Sequence, residues 1–435
     1  MAKIIIIGAG IGGLAFAYKY QGSDEICLFE QAARNKLGFP WYDSVKAEAF
    51  KDTEIPLPGK GVYKKKYIHM YSPSCTVNIP QRKKTVKKGY EIDRVALLDH
   101  LFELVKNKVT FRFESKVTGL AKSNGKVTGV YVGGALYEAD LVIDASGAFS
   151  KLRYFVCEDP ADFEPNADEI LYCERTLYKA DENIVKDHLD AVYIKHKGGT
   201  ALSWCRSTPD LEQMDVFVSS IGAPLTESYV QAEEEDMFDR NAALSKTVIQ
   251  KRCERLALRS PLSQFVYDSF AFVGDSAYMT NPVNGCGIEN AMRAGAILAD
   301  VLNKKHDFSL ENLWNYQVKF MYSVGSNLVA LDVFKRWVYN VVPEDIDWLF
   351  DTMIGAEIVA FFSGSSKKPL NPKVLLDKIH VALERKDLAP QVFKVVSRAA
   401  QAKTYALLIP VKYEPRLVDL WKTRYNDFLR RDEQG

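Results

Sequence analysis

The sequence predicts an α/β fold: a Rossmann-like domain interleaved with a β-sheet domain and followed by a helical C-terminal region. Three observations predict it. A β-branched run, Ile4-Ile5-Ile6-Ile7, leads into Gly8-Ala9-Gly10-Ile11-Gly12-Gly13, which fits G-x-G-x-x-G. Two later buried-strand patterns, Leu141-Val142-Ile143-Asp144 and Phe270-Ala271-Phe272-Val273, each run into small residues. The stretches between these segments are rich in alternating, strand-like runs, and the chain after them is helical and aromatic.

The first unit is the most explicit. Gly8 permits a tight turn, Gly10 lets backbone approach a pyrophosphate, and Gly13 allows close packing of helix on strand. Ile11 and Gly12 open a helix whose N-terminus offers free N–H groups to phosphates. Ile26-Cys27-Leu28-Phe29-Glu30 is a second strand ending in an acid, at the spacing of about twenty residues expected for a ribose-binding carboxylate. Gln31 follows it at the mouth of the same site.

Residues 31–90 are irregular, with short strands expected at Tyr67–Tyr71 and Cys75–Ile79. Residues 93–106 carry helical periodicity behind Asp93 as a cap. Residues 109–143 read as short strands joined by hairpin turns at Asn124-Gly125 and Gly133-Gly134. Residues 170–225 are strand-rich, 229–255 are charged and expected to be helical, and 270–303 hold a strand followed by a helix. The domain boundaries that follow are 1–35, 90–155 and 265–303 for the nucleotide-binding part, 36–89 and 156–264 for the β-sheet domain, and 304–435 for the helical region. In that last region Trp314, Tyr316, Phe320, Tyr322, Phe334, Trp337 and Tyr339 recur at spacings of buried helix faces. Core packing is the expectation there, with a hydrophobic tunnel or membrane-docking face as the alternative.

Composition narrows the classes. The chain has 435 residues, 47% of them apolar, which supports a large core, and a net charge of +1, which gives no pull toward nucleic acid. The 7 cysteines form no C-x-x-C, and their odd number suits free thiols in a reducing cytoplasm. No His/Cys grouping has metal-ligand spacing. The fingerprint begins at Lys3 and leaves no room for a signal peptide. The most apolar stretch, 346–362, is interrupted by Asp347, Asp351 and Glu357. A cytoplasmic protein is expected, with peripheral contact at the inner membrane face as a further expectation. One local block departs from neutrality: Lys60, Lys64, Lys65, Lys66, Arg82, Lys83, Lys84, Lys87 and Lys88 have no acid among them. Solvated hairpin faces explain it, and attraction to anionic headgroups, a diphosphate or an acidic carrier is the sharper reading.

Two more motifs complete the pattern. Asp144, Ser146 and Gly147 end a buried strand, where small residues let backbone approach a cofactor. Gly274-Asp275 ends another, and Pro282, Gly285, Cys286, Gly287 and Ile288 form a turn into a helix whose dipole points at whatever lies beyond. Together these three segments resemble the FAD oxidoreductases of the p-hydroxybenzoate hydroxylase type, and within them the geranylgeranyl reductase family, over residues 1–303. The resemblance implies a three-layer ββα FAD-binding domain. It implies that Gly8, Gly10, Gly13 and Glu30 hold the ADP half, that Arg94 contacts the pyrophosphate, and that Asp144 and Gly147 form the middle motif, with Ala-Ser-Gly in place of Ala-Asp-Gly. Asp275 would bind the ribityl chain, and Pro282, Gly285 and Gly287 would face the isoalloxazine.

The chemistry in such a protein belongs to the flavin. The expected activity is hydride transfer from flavin N5 to carbon–carbon double bonds of a hydrophobic isoprenoid lipid. The alternative is a monooxygenase or epoxidase acting through a hydroperoxyflavin, and a non-catalytic FAD-binding protein is a third. No second G-x-G-x-x-G is present, so electrons would come from transiently bound NAD(P)H or from a reduced carrier protein. Phe39, Pro40, Trp41 and Tyr42 are cavity candidates, with an interdomain plug as the plainer reading. Tyr42, Asp43 and Cys286 are candidate proton donors, none of them distinguished by sequence alone.

Overall fold

The computed structural model describes residues 1–39, 41–65, 68–76, 78–80, 89–181, 185, 190–195, 198–352 and 385–430. Pro40, most of the basic block (Lys66, Arg82, Lys83, Lys84, Lys87 and Lys88) and the second half of the 346–362 stretch lie outside these residues.

A six-stranded sheet orders Val266–Tyr267, Phe270–Phe272, Leu141–Asp144, Lys3–Ile7, Glu25–Phe29 and Val109–Arg112, all parallel except the first. Ile4 to Ile7 are buried on both faces of this sheet, which is why the run is uniformly β-branched and does not alternate. Strand order reverses between Lys3–Ile7 and Leu141–Asp144, and the crevice beyond the carboxyl ends of strands at such a reversal is where α/β sheets bind ligands. The helices Ile11–Lys19 and Ile288–Lys304 pack together on one face. Their crossing is so close that a Cβ on Gly295 would fall 2.1 Å from the Gly12 carbonyl oxygen. A meander of Val117–Ser123, Lys126–Val132 and Ala135–Glu138 completes the ββα layering, placing Leu120, Val127 and Val130 in the same core. Its two turns are the predicted ones, with positive φ at Asn124, Gly125, Gly133 and Gly134.

A seven-stranded sheet orders Leu244–Ala257, Ile170–Ala180, Gln213–Ile221, Leu202–Ser207, Ala191–Ile194, His69–Tyr71 and Asn78–Pro80. Alternation splits its faces. Cys205, Met214, Val216 and Val218 point to one side and pack under Val230 and Met237 of the helix Glu227–Arg240. Arg175, Trp204, Arg206, Asp215 and Phe217 share the other side, where Trp204 pairs with Phe217 and Arg206 with Asp215 across neighbouring strands. A small antiparallel sheet of Tyr42–Lys46, Gly89–Asp93 and Val62–Lys64 carries the 41–46 segment, and Tyr42 and Asp43 contact that second face.

Two local expectations are corrected. Residues 244–255 are not helical: they form the long edge strand Leu244–Ala257, which pairs along Ile170–Ala180. An edge strand is solvated on most of its surface, so it lacks the apolar alternation that marks a strand, and its Lys and Arg residues guard the open edge. Cys75 and Thr76 are not in a strand either. Cys75 has φ +60 and its N–H donates to Ser72 O at 2.9 Å, a turn that delays the strand until Asn78.

The C-terminal helices Leu310–Phe320 and Ser326–Asn340 join through a turn of π-helix at Met321–Gly325 and pack with Ala389–Leu407. Trp314, Tyr316 and Phe320 are fully buried and continuous with the Rossmann core, so the core reading of these aromatics holds, while Tyr322 is exposed. The Tyr316 hydroxyl donates to Phe272 O at 3.0 Å and Trp314 Nε1 to Pro410 O at 2.7 Å. Asp332 anchors the second helix from inside, accepting from Ser260 Oγ at 2.8 Å and pairing with Lys335 at 2.8 Å and Arg336 at 3.1 Å. No helix among the described residues is long and apolar enough to cross a membrane.

Candidate active site

The glycine loop lies against the end of the Leu141–Asp144 strand. Gly8 has φ +87, and a Cβ on Gly10 would stand 2.8 Å from the Ala145 carbonyl oxygen. Gly10 is therefore required by the protein's own backbone as well as by a phosphate. Gly13 meets the strand as expected, since a Cβ there would stand 2.7 Å from Ile6 Cγ2. Glu30 is nearly buried at the end of its strand. One carboxylate oxygen accepts from Ala9 N and the other from Ala32 N, both at 2.8 Å, and each keeps a lone pair for a hydroxyl. Gln31 is exposed beside it.

Asp144 differs from its expected role. Its carboxylate is wholly internal, accepting from Ser146 N at 2.8 Å, Ser146 Oγ at 2.6 Å and Ser150 Oγ at 2.6 Å, and burial pushes it upward. Asp144 and Ser146 thus shape the loop, and Gly147 is what the loop offers outward. Gly147 has φ +96 and nothing within 4 Å of where a Cβ would stand. Arg153 locks the same loop, with its guanidinium donating to the carbonyls of Phe163, Ser276 and Ala148 at 3.0, 2.9 and 2.7 Å.

The second half of the site forms at the turn Gly274–Ala277. Asp275 accepts from Thr280 Oγ1 at 2.5 Å; burial pushes its carboxyl up, opposed by the positive charge of Arg94. A Cβ on Gly287 would lie 2.6 Å from Thr280 Oγ1 and 3.0 Å from Asp275 Oδ1, so acid, hydroxyl and the start of the helix Ile288–Lys304 converge. Between them Pro282 and Gly285 (φ +70) turn the chain, with Asn281 Oδ1 accepting from Val283 N at 2.9 Å. Cys286 is exposed, and crowding by the surrounding protein, with Glu289 adding to it, pushes its thiol up to about 11.

The three proton-donor candidates separate. Asp43 receives Arg94 Nε at 2.7 Å and Arg175 Nη1 at 3.5 Å, and its charge is felt at Cys286. Tyr42, one residue away on the same strand, donates instead to Asp210 at 2.9 Å, and burial raises its phenol well above the ordinary value. Phe39 lies tilted against Trp41 (4.6 Å between ring centroids) under the Arg252 guanidinium, and Trp41 is buried with Arg175 over its ring at 4.4 Å. In this conformation the aromatics fill the joint between the two sheets.

Sequence reading missed the group facing them. Arg175 grips both oxygens of Asp215, Arg206 adds a contact at 2.9 Å, and both arginines donate to Tyr42 O at 3.0 Å. Glu91 lies 3.6 Å from Arg206. Burial opposes ionisation of Asp215, but the two arginines outweigh it and hold the carboxyl below its usual range. The available signal was a charged residue at alternate positions inside apolar strands, as in Trp204-Cys205-Arg206 and Asp215-Val216-Phe217, since buried charges are paired. A separate cavity of about 690 Å³, lined by Met1, Lys126, Asp140, Asp268 and His306, opens at the amino ends of the parallel strands. The 7 cysteines are all free, and no metal-binding group occurs among the described residues.

The residues present fit FAD: Glu30 and the pinned glycine loop for its adenosine end, open backbone at Gly147, and Asp275 with a helix N-terminus at the other end. No protein-family profile matches the chain. A digeranylgeranylglycerophospholipid reductase from Sulfolobus acidocaldarius is 24% identical over 378 residues, covering 79% of each protein. An FAD-dependent monooxygenase, srdH, from Neurospora crassa is 22% identical over 411 residues, covering 81% of this chain and 89% of that one. Among solved structures, a geranylgeranyl bacteriochlorophyll reductase-like protein from Thermoplasma acidophilum superposes with a TM-score of 0.71 at 17% identity, over 91% of this chain and 99% of the other. The resemblance read from the motifs is borne out: the chain has the fold of the geranylgeranyl reductase-like flavoproteins and extends that likeness past residue 303 into the C-terminal helices.

Proposed function

We propose that the protein is an FAD-dependent reductase that saturates carbon–carbon double bonds of a hydrophobic, isoprenoid lipid. The observation that carries it is the pairing of a nearly buried Glu30 beside the glycine loop with Asp275, Thr280 and Gly287 converging at the far end of the same crevice. The similarity to a lipid reductase along four-fifths of both chains supports the substrate class. FAD bound there, once reduced by an electron donor, would supply a hydride to one alkene carbon.

The chain's own residues do the rest. Glu30 accepts from the ribose hydroxyls, and its charge repels a phosphate at that position. The N-terminus of Ile11–Lys19 faces the pyrophosphate, with Arg94 as its cation. Asp275 receives the ribityl hydroxyls, and the N-terminus of Ile288–Lys304 stabilises negative charge on the reduced ring. Asp43 accepts from two guanidiniums and Tyr42 donates its hydroxyl to Asp210, so of the three candidates Cys286, exposed in the turn before Ile288–Lys304, is the one assigned to protonate the second carbon. Trp204, stacked on Phe217, and Trp41 flank Arg175 at the joint between the sheets and supply apolar surface beside the site. Electrons reach this site from NAD(P)H or a carrier protein, and a lipid substrate brings the protein to a membrane surface.

A monooxygenase on the same fold is the second reading, favoured by the similarity to an FAD-dependent monooxygenase. Anaerobic reduction followed by rapid mixing, either with a polyprenyl lipid or with oxygenated buffer, separates the two. Rapid anaerobic reoxidation by the lipid, with product gaining hydrogen, supports the reductase. Reoxidation that requires oxygen, with product gaining an oxygen atom, supports the monooxygenase and overturns the first reading.

A further inference from the structure

Arg175 is buried, and its guanidinium serves three separate elements. Nε and Nη2 take the two Asp215 oxygens at 2.7 and 2.6 Å, a fork that fixes the plane of the group. That plane directs Nη2 to Tyr42 O at 3.0 Å and Nη1 to Asp43 Oδ1 at 3.5 Å, and sets the charge over the Trp41 ring. The other Asp43 oxygen accepts from Arg94 Nε at 2.7 Å. The strand that carries Asp43 also meets the helix that follows the cofactor turn, Lys46 N donating to Glu289 Oε1 at 2.8 Å. A continuous chain, Asp215–Arg175–Asp43–Arg94, therefore runs from the seven-stranded sheet to a strand held against that helix.

Sheet stability does not require this chain. The strands carrying Arg175 and Asp215 are already hydrogen-bonded in register from Leu171–Ile221 to Lys179–Gln213. Arg206 independently covers both Asp215 and the Tyr42 carbonyl. What Arg175 adds beyond Arg206 is the bond to the second Asp215 oxygen, the charge over the Trp41 ring and the contact to Asp43. Charge is balanced, Arg94, Arg175 and Arg206 against Asp43, Glu91 and Asp215, so no unmatched charge explains the arrangement.

We propose that Arg175 is a positioning residue that holds Asp43, and through it Arg94, against the cofactor turn, so that the substrate sheet and the cofactor site move as one. The inference rests on the FAD reading of that turn. A lysine keeps the charge but loses the fork and cannot reach Asp215, Tyr42 and Asp43 together.

The test titrates FAD into flavin-free wild-type protein, Arg175→Lys, Asp43→Asn and the double variant, reading affinity, the visible flavin spectrum and the midpoint potential. Each single change is expected to weaken FAD binding about tenfold, the size of one charged hydrogen bond, and to shift spectrum and potential. The double variant should be no weaker than the worse single, because both cut one chain. Wild-type affinity, spectrum and potential in both singles, or penalties that multiply in the double, would overturn the proposal. Should Arg175→Lys not fold, Asp43→Asn leaves the Arg175–Asp215 pair intact and decides alone. A wild-type protein that takes up no FAD refutes the cofactor reading and this inference with it, a result distinct from unchanged variants of a flavin-binding protein.

Discussion

At the scale of the residue, Gly10 shows how two constraints converge on one missing side chain. Its Cβ would press on the Ala145 carbonyl at 2.8 Å, so a larger residue displaces the loop from the strand end before any cofactor arrives. Gly10→Val is expected to purify without flavin, checked by the ratio of visible to ultraviolet absorbance; stoichiometric FAD in that variant would remove the loop from the site. Asp275→Ala should weaken FAD about tenfold through loss of one charged acceptor, measured by equilibrium titration of flavin fluorescence. The placing of the glycines, Glu30 and Asp275 at strand ends was legible because each sits at a fixed offset from a strand that the sequence marks clearly. Asp144 was misread in direction: a strand-end acid looks the same in sequence whether it faces a ligand or, as here, three donors of its own loop. Arg175, Arg206 and Asp215 were invisible as a group because their partners lie on three different strands, and pairing across a sheet leaves no local spacing to read.

At the scale of the element, the helix Ser326–Asn340 is held by Asp332 as much as by its apolar face. Burial raises this carboxyl, but Arg336 and Lys335 outweigh burial and hold it well below the carboxylate range. The folded value is thus lower than the unfolded one. The stabilisation is complete above the unfolded value of about 3.9 and is lost as pH falls through the folded value. Asp332→Asn leaves Lys335 with one carbonyl partner, Leu258 O, inside the core. Breaking such a pair costs about 3 kcal/mol or more, and denaturant unfolding at pH 7 should show it, with a smaller difference from wild type in strong acid. Elements with a periodic apolar face were recovered from sequence; Leu244–Ala257 was not, since an edge strand has little burial to impose a period on its residues.

At the scale of the whole molecule, the cofactor crevice and the C-terminal helices belong to one core, in which Phe272 and Met279 beside the Asp275 turn touch Tyr316. Occupation of the crevice should therefore be felt by the melting of the entire chain. FAD at about a hundred times its dissociation constant adds roughly 2.7 kcal/mol to the native state. A single thermal transition that rises with FAD concentration is the expected outcome. Two transitions, only one of them moved by FAD, would mean that the seven-stranded sheet melts independently. The return of the chain to the parallel sheet was readable, because the strand patterns at 4–7, 141–144 and 270–272 are separated in sequence by β-rich stretches. The joint between the sheets was not, since it brings Phe39 and Trp41 against Arg175 and Arg252, residues far apart in sequence.

The Glu30 carboxylate spans Ala9 N and Ala32 N. One side chain thus ties together the two loops at the mouth of the crevice through the protein's own hydrogen bonds. Such preorganisation removes part of the entropic penalty of association.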